Sequence, residues 1–265
     1  MTYLTFLLVF ILPLILAAYF LCRLEKKPNI PLIKSGMITL SFIALLYTSP
    51  WDNYLVASNV WGYGDERVID SMIIGFVPIE EYMFMFLQPI ATGLFLQYFV
   101  SQNRVSLEPL TKELNRGNRI SKNGMILFLF LSIIGVILYF YMPDQFNYLG
   151  LILVWACPVL AFQCWYGGEL IWKMKRILLP ALIVPTVYLC LVDMIAIDWQ
   201  IWHIRPETST GWKILSLPFE EGLFFLITNL LVVQGLILFY QASTRWKLRH
   251  RKNDNSLIQS CLIFK

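Results

Sequence analysis

Seven stretches of mostly apolar residues, separated by short polar segments, dominate this chain. They cover residues 3–22, 31–50, 68–99, 123–142, 146–166, 177–197 and 212–240. Most have about the 20 residues that an α-helix needs to cross the hydrocarbon layer of a bilayer. The pattern predicts an all-α, polytopic membrane protein with seven transmembrane helices.

The third and seventh stretches are longer than one span requires. Pro78 and Pro218 lie inside them, and proline interrupts a regular helix because it lacks an amide hydrogen. We therefore expect each stretch to consist of a short leading piece followed by a main helix that begins at the proline.

The first three stretches recur in the last three. When the chain is aligned with itself at a distance of 145 residues, identical residues fall together at Tyr3 and Tyr148, Leu4 and Leu149, and Pro13 and Pro158. At an offset of 141, the identical pairs are Tyr47 and Tyr188, Asp52 and Asp193, and Trp61 and Trp202. At an offset of 140, they are Pro78 and Pro218, Glu80 and Glu220, Glu81 and Glu221, and Phe84 and Phe224. An odd number of linking spans gives both units the same orientation, so their symmetry axis should follow the membrane normal. The sequence predicts a three-helix repeat over 1–100, a loop and linking helix over 101–145, a second repeat over 146–242 and a basic tail over 243–265.

Positive charges are distributed unevenly between the two sides of the predicted spans. Of the 21 Lys and Arg residues, 18 lie in the loop after the first span, the loops after the third and fifth spans, and the tail; the other three are Arg67, Arg205 and Lys213. The positive-inside rule then predicts an integral cell-membrane protein with its N-terminus outside and its C-terminus in the cytoplasm. The basic tail is explained by this orientation, although it could also contact anionic lipid, and nothing indicates nucleic-acid binding.

The composition agrees with a membrane protein and excludes several functions. Hydrophobic residues make up 58% of the chain, charged residues make up 14%, and the mean hydropathy is +0.63. His203 and His250 are the only histidines, too few for a bis-histidine haem or a histidine-rich di-iron centre. The five cysteines show no metal-site spacing, and Gly62-Tyr63-Gly64 lacks a dinucleotide-binding pattern. We expect neither a metal nor a cofactor.

Two pairs of adjacent acids are the main candidate for chemistry. Glu80 and Glu81 follow Pro78, and Glu220 and Glu221 follow Pro218. Acids favour the positive end of a helix, so these four residues could simply cap two helices. However, apolar residues precede each pair, and ionisable groups in hydrocarbon are costly. If the four acids are buried, repulsion within each pair favours one protonated and one ionised carboxyl group, which together are an acid and a base.

Other candidate residues lie near the acid pairs at helical spacing. Glu81, Met85, Gln88 and Thr92 form one stripe, Glu221, Phe225 and Thr228 form another, and Phe84, Phe224 and Phe225 flank the acids. A sparse polar stripe among aromatic rings suits a long apolar substrate better than an ion path. We therefore assign substrate contacts to Phe84, Phe224, Phe225, Gln88 and Thr228, with ordinary helix packing as the alternative for the polar members.

Asp52 and Asp193 are expected at the outer ends of the second and sixth spans. They could orient the glutamates or relay protons. Trp61 and Trp202 follow nine residues after each aspartate, and an indole face can stabilise a cation. Interfacial tryptophan is common in membrane proteins, so an aromatic belt is the alternative for this pair.

The segments Pro78-Ile79-Glu80-Glu81-Tyr82-Met83-Phe84 and Pro218-Phe219-Glu220-Glu221-Gly222-Leu223-Phe224 resemble the PxEE signature of the heterodimer-type lycopene cyclase domain. In that family each domain has three transmembrane helices, and the two domains occur as two subunits or fused in one chain. This sequence resembles the fused form over nearly its whole length, to about residue 242, including the linking helix.

The resemblance implies that the chain closes the acyclic ψ ends of lycopene to β-ionone rings, with no net redox change and no cofactor. It implies that Glu80, Glu81, Glu220 and Glu221 are the acid–base set, without deciding which glutamate protonates the substrate. The implied partner is a lipophilic carotenoid within the membrane. Ring type, C40 or C50 substrate, the number of ends closed and the oligomeric state stay open.

Two other functions can be weighed on the residues alone. A proton-coupled transporter or channel could use buried acids, but the predicted helix interiors carry few polar groups. A retinal-binding photoreceptor needs a lysine in the middle of the seventh span, where Lys213 lies only at the edge. We keep the transporter as the alternative function and reject the photoreceptor.

Overall fold

A computed structural model describes the backbone of residues 1–24, 31–69, 73–102 and 118–263, and the side chains of these residues except 31–33 and 249–263. Residues 103–117, in the predicted cytoplasmic loop, lie outside the described residues, as do Lys26, Lys27 and the side chains of the basic tail from residue 249 onwards.

Seven long helices account for most of the described residues. They are α1 (Tyr3–Leu24), α2 (Pro31–Ala57), α3 (Ile79–Gln102), α4 (Arg119–Tyr141), α5 (Asn147–Lys173), α6 (Lys175–Asp198) and α7 (Phe219–Ile263). Helix α1 contains a π-helical turn, Leu7–Ile11, next to Pro13. Proline removes a regular helical hydrogen bond, which explains a local change of helical type there. The prediction of an all-α membrane protein is confirmed.

Six helical stretches within the described residues are long and apolar enough to cross a membrane. The helix outside this group is α2, which has a comparable 27 residues. Its last turns carry Thr48, Ser49, Asp52 and Asn53, which lower its apolar character. The predicted number of seven spans is therefore not confirmed.

The leading pieces before α3 and α7 differ from the prediction. They are small antiparallel hairpins, β2 (Ile73–Ile74) with β3 (Val77–Pro78) and β5 (Lys213–Ile214) with β6 (Leu217–Pro218). The tight turns require positive φ angles, which occur at Gly75 (φ 71°) and Leu215 (φ 59°). Each helix then begins one residue after its proline.

Helices α3 and α7 form the centre of the bundle. Helix α3 contacts α1, α2, α6 and α7, and helix α7 contacts α5, α6, α2 and α3. These two sets of neighbours correspond when α1, α2 and α3 are exchanged with α5, α6 and α7. Helix α4 forms a hairpin with α5 and is otherwise largely exposed, which suits contact with lipid.

A strand pair joins the two halves outside the helices. Strand β1 (Trp61–Tyr63) runs antiparallel to β4 (Trp202–Ile204), with Trp61 opposite Ile204, Gly62 opposite His203 and Tyr63 opposite Trp202. At the offset of 141, this register is unchanged when the two strands are exchanged. A two-fold axis through the Gly62–His203 pair has this property.

The α4–α5 hairpin depends on a close approach between two glycines. A Cβ atom at Gly135 would lie 2.8 Å from the carbonyl oxygen of Gly150 and 2.8 Å from Cβ of Leu153. Small residues allow such close packing of membrane helices.

We therefore expect Gly135→Ala to lower the free energy of unfolding by about 1–3 kcal/mol, because the methyl group meets backbone atoms that cannot move aside. Thermal unfolding of the protein in detergent measures this change. Gly222→Ala is the matched control, since its Cβ would have its nearest neighbour, Cδ2 of Leu217, at 3.4 Å. An equal or higher stability of Gly135→Ala would contradict the described packing.

Candidate active site

The four glutamates of the repeated motif lie in the first turns of α3 and α7, and all four are buried. The positive ends of the two helices favour negative charge at these positions. Within each pair, the two glutamates point to different surroundings, so their roles can be separated.

Glu80 and Glu220 hold the loops that precede their own helices. Oε1 of Glu80 accepts a hydrogen bond from the amide of Ile69 (3.0 Å), and Oε1 of Glu220 accepts bonds from the amide and the hydroxyl of Thr210 (both 2.7 Å). Ser209 also donates its hydroxyl to Oε2 of Glu220 at 3.3 Å. These two glutamates therefore fix local structure.

Glu81 and Glu221 instead accept hydrogen bonds from buried tyrosines. Tyr3 donates to Oε2 of Glu81 at 2.9 Å, and Tyr148, the matching residue of the second half, donates to Oε1 of Glu221 at 2.6 Å. A third tyrosine, Tyr63, donates to Oε2 of Glu81 at 3.3 Å. Burial and the nearby Glu81 raise the pKa of Tyr63 well above its ordinary value, so its hydroxyl keeps its hydrogen and remains a donor.

Asp52 and Asp193 complete a cluster of four carboxyl groups. Both aspartates are buried, and each lies close enough to Glu81 and Glu221 for their charges to interact. Asp193 accepts a hydrogen bond from the indole of Trp202 (2.9 Å). Within the described part of the chain, no Lys or Arg forms an ion pair with any of the four. Carboxyl groups gathered in this way can hold and exchange protons.

A cavity begins at this cluster and extends between α2, α3, α5 and α7. Its cavity volume is about 120 Å³, and the whole depression, including the space that is open to the outside, measures about 810 Å³. Its lining is mainly apolar and aromatic: Leu40, Ile43, Ala44, Tyr47, Thr48, Asp52, Glu81, Phe84, Met85, Gln88, Trp155, Val159, Gln163, Phe224, Thr228, Leu231 and Val232. The carboxyl groups of Glu81 and Asp52 at the end of an apolar chamber suit acid–base chemistry on a hydrocarbon.

Aromatic rings form one wall of the chamber. Trp155 stacks on Trp51 with ring centroids 4.5 Å apart, and its centroid lies 6.0 Å from that of Phe224. Tyr47 also stacks on Trp155, with ring centroids 5.7 Å apart, and donates its hydroxyl to the Trp155 carbonyl oxygen (2.7 Å). Electron-rich ring faces in this position can stabilise a cation.

The predicted site residues divide into groups. The cavity lining includes Glu81, Asp52, Phe84, Phe224, Gln88 and Thr228. It does not include Glu80, Glu220, Glu221, Asp193, Phe225, Trp61 or Trp202. Trp61 and Trp202 are buried beside the cross-strand pair, where Trp61 lies 5.8 Å from the ring of Tyr63.

A polar network lies deeper in the bundle than the acids. Oδ1 of Asn229 accepts bonds from Gln88 (2.5 Å) and Thr92 (2.6 Å), and its amide donates to Thr186 (2.9 Å). The network satisfies these buried polar groups and links α3, α6 and α7. It gives Gln88 a packing role in addition to its place on the cavity wall.

Sequence reasoning missed several residues of this site. Tyr3 and Tyr148 matched each other in the repeat, and that match was a usable signal for a shared role. Trp51 and Trp155 gave no such signal, because the residues at the matching positions, Val192 and Phe10, are of a different type.

Comparison with known proteins identifies the family. The chain is 35% identical over 246 residues to a lycopene beta-cyclase of Halobacterium salinarum, covering 93% of this chain and 99% of that protein. This chain belongs to the lycopene cyclase family. The resemblance seen in the repeated PxEE motif is thereby confirmed.

Fungal members of the lycopene cyclase family are longer. The bifunctional lycopene cyclase/phytoene synthases of Aspergillus niger and Blakeslea trispora are each 33% identical to this chain, over 204 and 261 residues. The match covers 33% and 41% of those proteins and 74% and 92% of this chain. No family model matches the chain, and no solved structure matches it significantly.

The loop contacts of Glu220 lead to a stability prediction. Glu220→Ala removes the acceptor of the half-buried Thr210 amide and hydroxyl, and a donor that loses its partner in this way costs about 1–3 kcal/mol. We expect the free energy of unfolding to fall by that amount in thermal or denaturant unfolding. Glu207→Ala, at an exposed acid of the same loop, should leave it unchanged. Equal stability of the two variants would argue against the loop-holding role.

Proposed function

We propose that this chain is a membrane-embedded lycopene cyclase that closes ψ ends of lycopene to β-ionone rings. The observation that carries the proposal is the chamber between α2, α3, α5 and α7, where Glu81 and Asp52 meet an apolar, aromatic wall. The extent of the match to the Halobacterium salinarum lycopene beta-cyclase supports it. The relatives reported give no support to a transporter or channel.

The reaction needs a proton donor, a cation-tolerant wall and a proton acceptor. An O–H bond of a carboxyl group breaks as a C–H bond forms at the terminal double bond, which leaves a tertiary carbocation. The next double bond attacks that carbon, a C–C bond closes the ring, and the positive charge moves onto the ring. A ring carbon then gives up a proton to a carboxylate. Hydrogen atoms and electrons balance, so the product is an isomer of the substrate.

Glu81 is the proton donor in this proposal. Tyr3 and Tyr63 both donate to its Oε2, and no hydrogen bond among the described residues reaches Oε1. Oε1 can therefore present the proton to the substrate. Asp52, in the same chamber, accepts the proton that leaves the ring. Trp155 and Phe224 face the charge between these two steps.

The two-fold correspondence supports the division of the chain into repeats. Residues 1–100 and 146–242 form the two three-helix units, 101–145 links them, and 243–265 is a cytoplasmic tail. The exchangeable β1–β4 register and the matching Tyr3–Glu81 and Tyr148–Glu221 bonds agree with this division.

Loss of the donor should remove the activity. Glu81→Gln keeps the shape of the side chain but has no acidic proton, and a general acid contributes about 10²–10⁴-fold to a rate. We expect ring formation to fall at least about 100-fold in lycopene-accumulating cells, measured by chromatography of the pigments. Glu207→Gln is the matched control and should keep full activity.

A second readout tests the chemistry itself. Membranes assayed in D2O should place a single solvent deuterium in each ring formed, detected by mass spectrometry. Rings formed without deuterium, or full activity of Glu81→Gln, would contradict the proposed proton transfer.

We also propose that the N-terminus and the acid-bearing ends of α3 and α7 lie on the outer side of the cell membrane, opposite the cytoplasm. In a variant without native cysteines, Glu207→Cys should react with an impermeant maleimide in intact cells, because the asymmetry of positive charge places this loop outside. Arg119→Cys, at the opposite end of the bundle, should react only after permeabilisation. The reverse pattern would invert the topology.

A further inference from the structure

The two repeats supply equivalent acids but not equivalent surroundings. The symmetry exchanges α1, α2 and α3 with α5, α6 and α7. The counterpart of the chamber between α2, α3, α5 and α7 is therefore the position between α6, α7, α1 and α3. Tyr188, the counterpart of Tyr47, donates to the carbonyl oxygen of Phe10 (2.9 Å) just as Tyr47 donates to that of Trp155 (2.7 Å). The backbone frame of the second position therefore reproduces the first.

The side chains inside the second frame are different. Where the first position has Thr48, Trp51 and Met85, the second has Leu189, Val192 and Phe225. Leu189 is 2% exposed and Phe225 is 4% exposed, and all three belong to one continuous hydrophobic core with Tyr3 and Phe6. At two of these positions the second repeat has the larger or more apolar side chain, Leu189 in place of Thr48 and Phe225 in place of Met85, and both pack into that core.

The acids behave differently in the two positions as well. Oδ1 of Asp193 accepts a hydrogen bond from the indole of Trp202 at 2.9 Å, whereas Asp52 lines the chamber and accepts no hydrogen bond from the described residues. Oδ2 has no partner among the described residues in either aspartate. A buried carboxylate oxygen without a partner is costly unless something else supplies one. The equivalent tryptophan, Trp61, leaves its indole nitrogen without a partner in the described structure.

The open chamber has access from the side of the bundle. Ile43, on its lining, is 52% exposed, and Tyr47 beside it is also exposed. Both belong to α2, at a surface that faces lipid in a membrane. A hydrocarbon substrate dissolved in the bilayer can therefore enter between α2 and α5 without crossing water.

We propose that ring closure takes place at only one of the two repeat-related positions, the chamber of Glu81 and Asp52, and that Trp155 is the residue that stabilises the carbocation there. The second position is a filled copy whose acids support the cluster but do not touch the substrate. This inference rests on the proposed lycopene cyclase function and extends it to one reacting chamber in each chain.

The repeat provides matched pairs of variants for a test. Trp155→Leu should lower the initial rate of ring formation about tenfold, because a cation facing an aromatic ring in a desolvated site gains about 1–2 kcal/mol. Phe10→Leu, at the matching position, should keep the unmodified rate. Trp155→Phe, which retains an aromatic face, should recover much of the loss if the role is cation stabilisation.

A second pair tests where the substrate enters. Ile43→Trp should cause loss of most ring formation by narrowing the opening, while Val184→Trp, the equivalent lipid-facing position on α6, should have no effect. Thermal unfolding and the amount of protein in the membrane are measured for all five variants. For any variant that is less stable than the unmodified chain, the rate of ring formation is divided by the amount of folded protein before it is compared.

The outcomes separate the two proposals. If the unmodified chain forms no rings from lycopene, the proposed function itself fails. If it forms rings but the two members of each pair are equally impaired, or the second-repeat variants are the impaired ones, the single-chamber inference is overturned. Selective impairment of Trp155→Leu and Ile43→Trp, with rescue by Trp155→Phe, supports it.

Discussion

The structure depends on placing four carboxyl groups in a membrane-spanning bundle where no Lys or Arg of the described residues forms an ion pair with them. Among the described residues, helix N-termini and tyrosine hydroxyl groups stabilise Glu81 and Glu221, and one indole stabilises Asp193. These neutral donors bind the acids and still allow them to hold protons. An arginine or lysine partner would instead keep the carboxyl group ionised. The same arrangement therefore makes the cluster tolerable in hydrocarbon and useful for proton transfer.

Duplication explains how so many acids come to lie together. Exchange of the two halves preserves the β1–β4 register and the neighbours of the central helices α3 and α7. A two-fold arrangement brings equivalent residues near the axis into proximity, so one acid-bearing helix end becomes two. Side chains away from the axis are free to differ, and Trp155 and Phe10 are one such pair.

The sequence predicted the helices well because a membrane span has a simple signal of length and hydropathy. The four glutamates were also found, since Pro78 and Pro218 mark equivalent positions. Their division into loop-holding Glu80 and Glu220 and inward-facing Glu81 and Glu221 was not predicted, because neighbouring residues at a helix start point in directions that depend on the preceding loop. The hairpins before α3 and α7 were missed because their apolar residues have the hydropathy of a membrane span. In the sequence, Gly75 was the one residue there that favoured a turn. Trp51 and Trp155 were missed because they are far apart in sequence and meet only when α2 packs against α5.

Both acid pairs lie at the same end of the bundle, because the two repeats have the same direction. A conjugated polyene is stiff and extended, so the two tips of one molecule cannot reach this end together. A molecule that stands upright in the bilayer presents one tip to the acids and hides the other in the opposite leaflet. A product with two closed rings then requires the one-ring intermediate to leave the chamber, reverse its direction in the bilayer and bind again by its other end. The time that this intermediate spends in the surrounding lipid becomes part of the catalytic cycle.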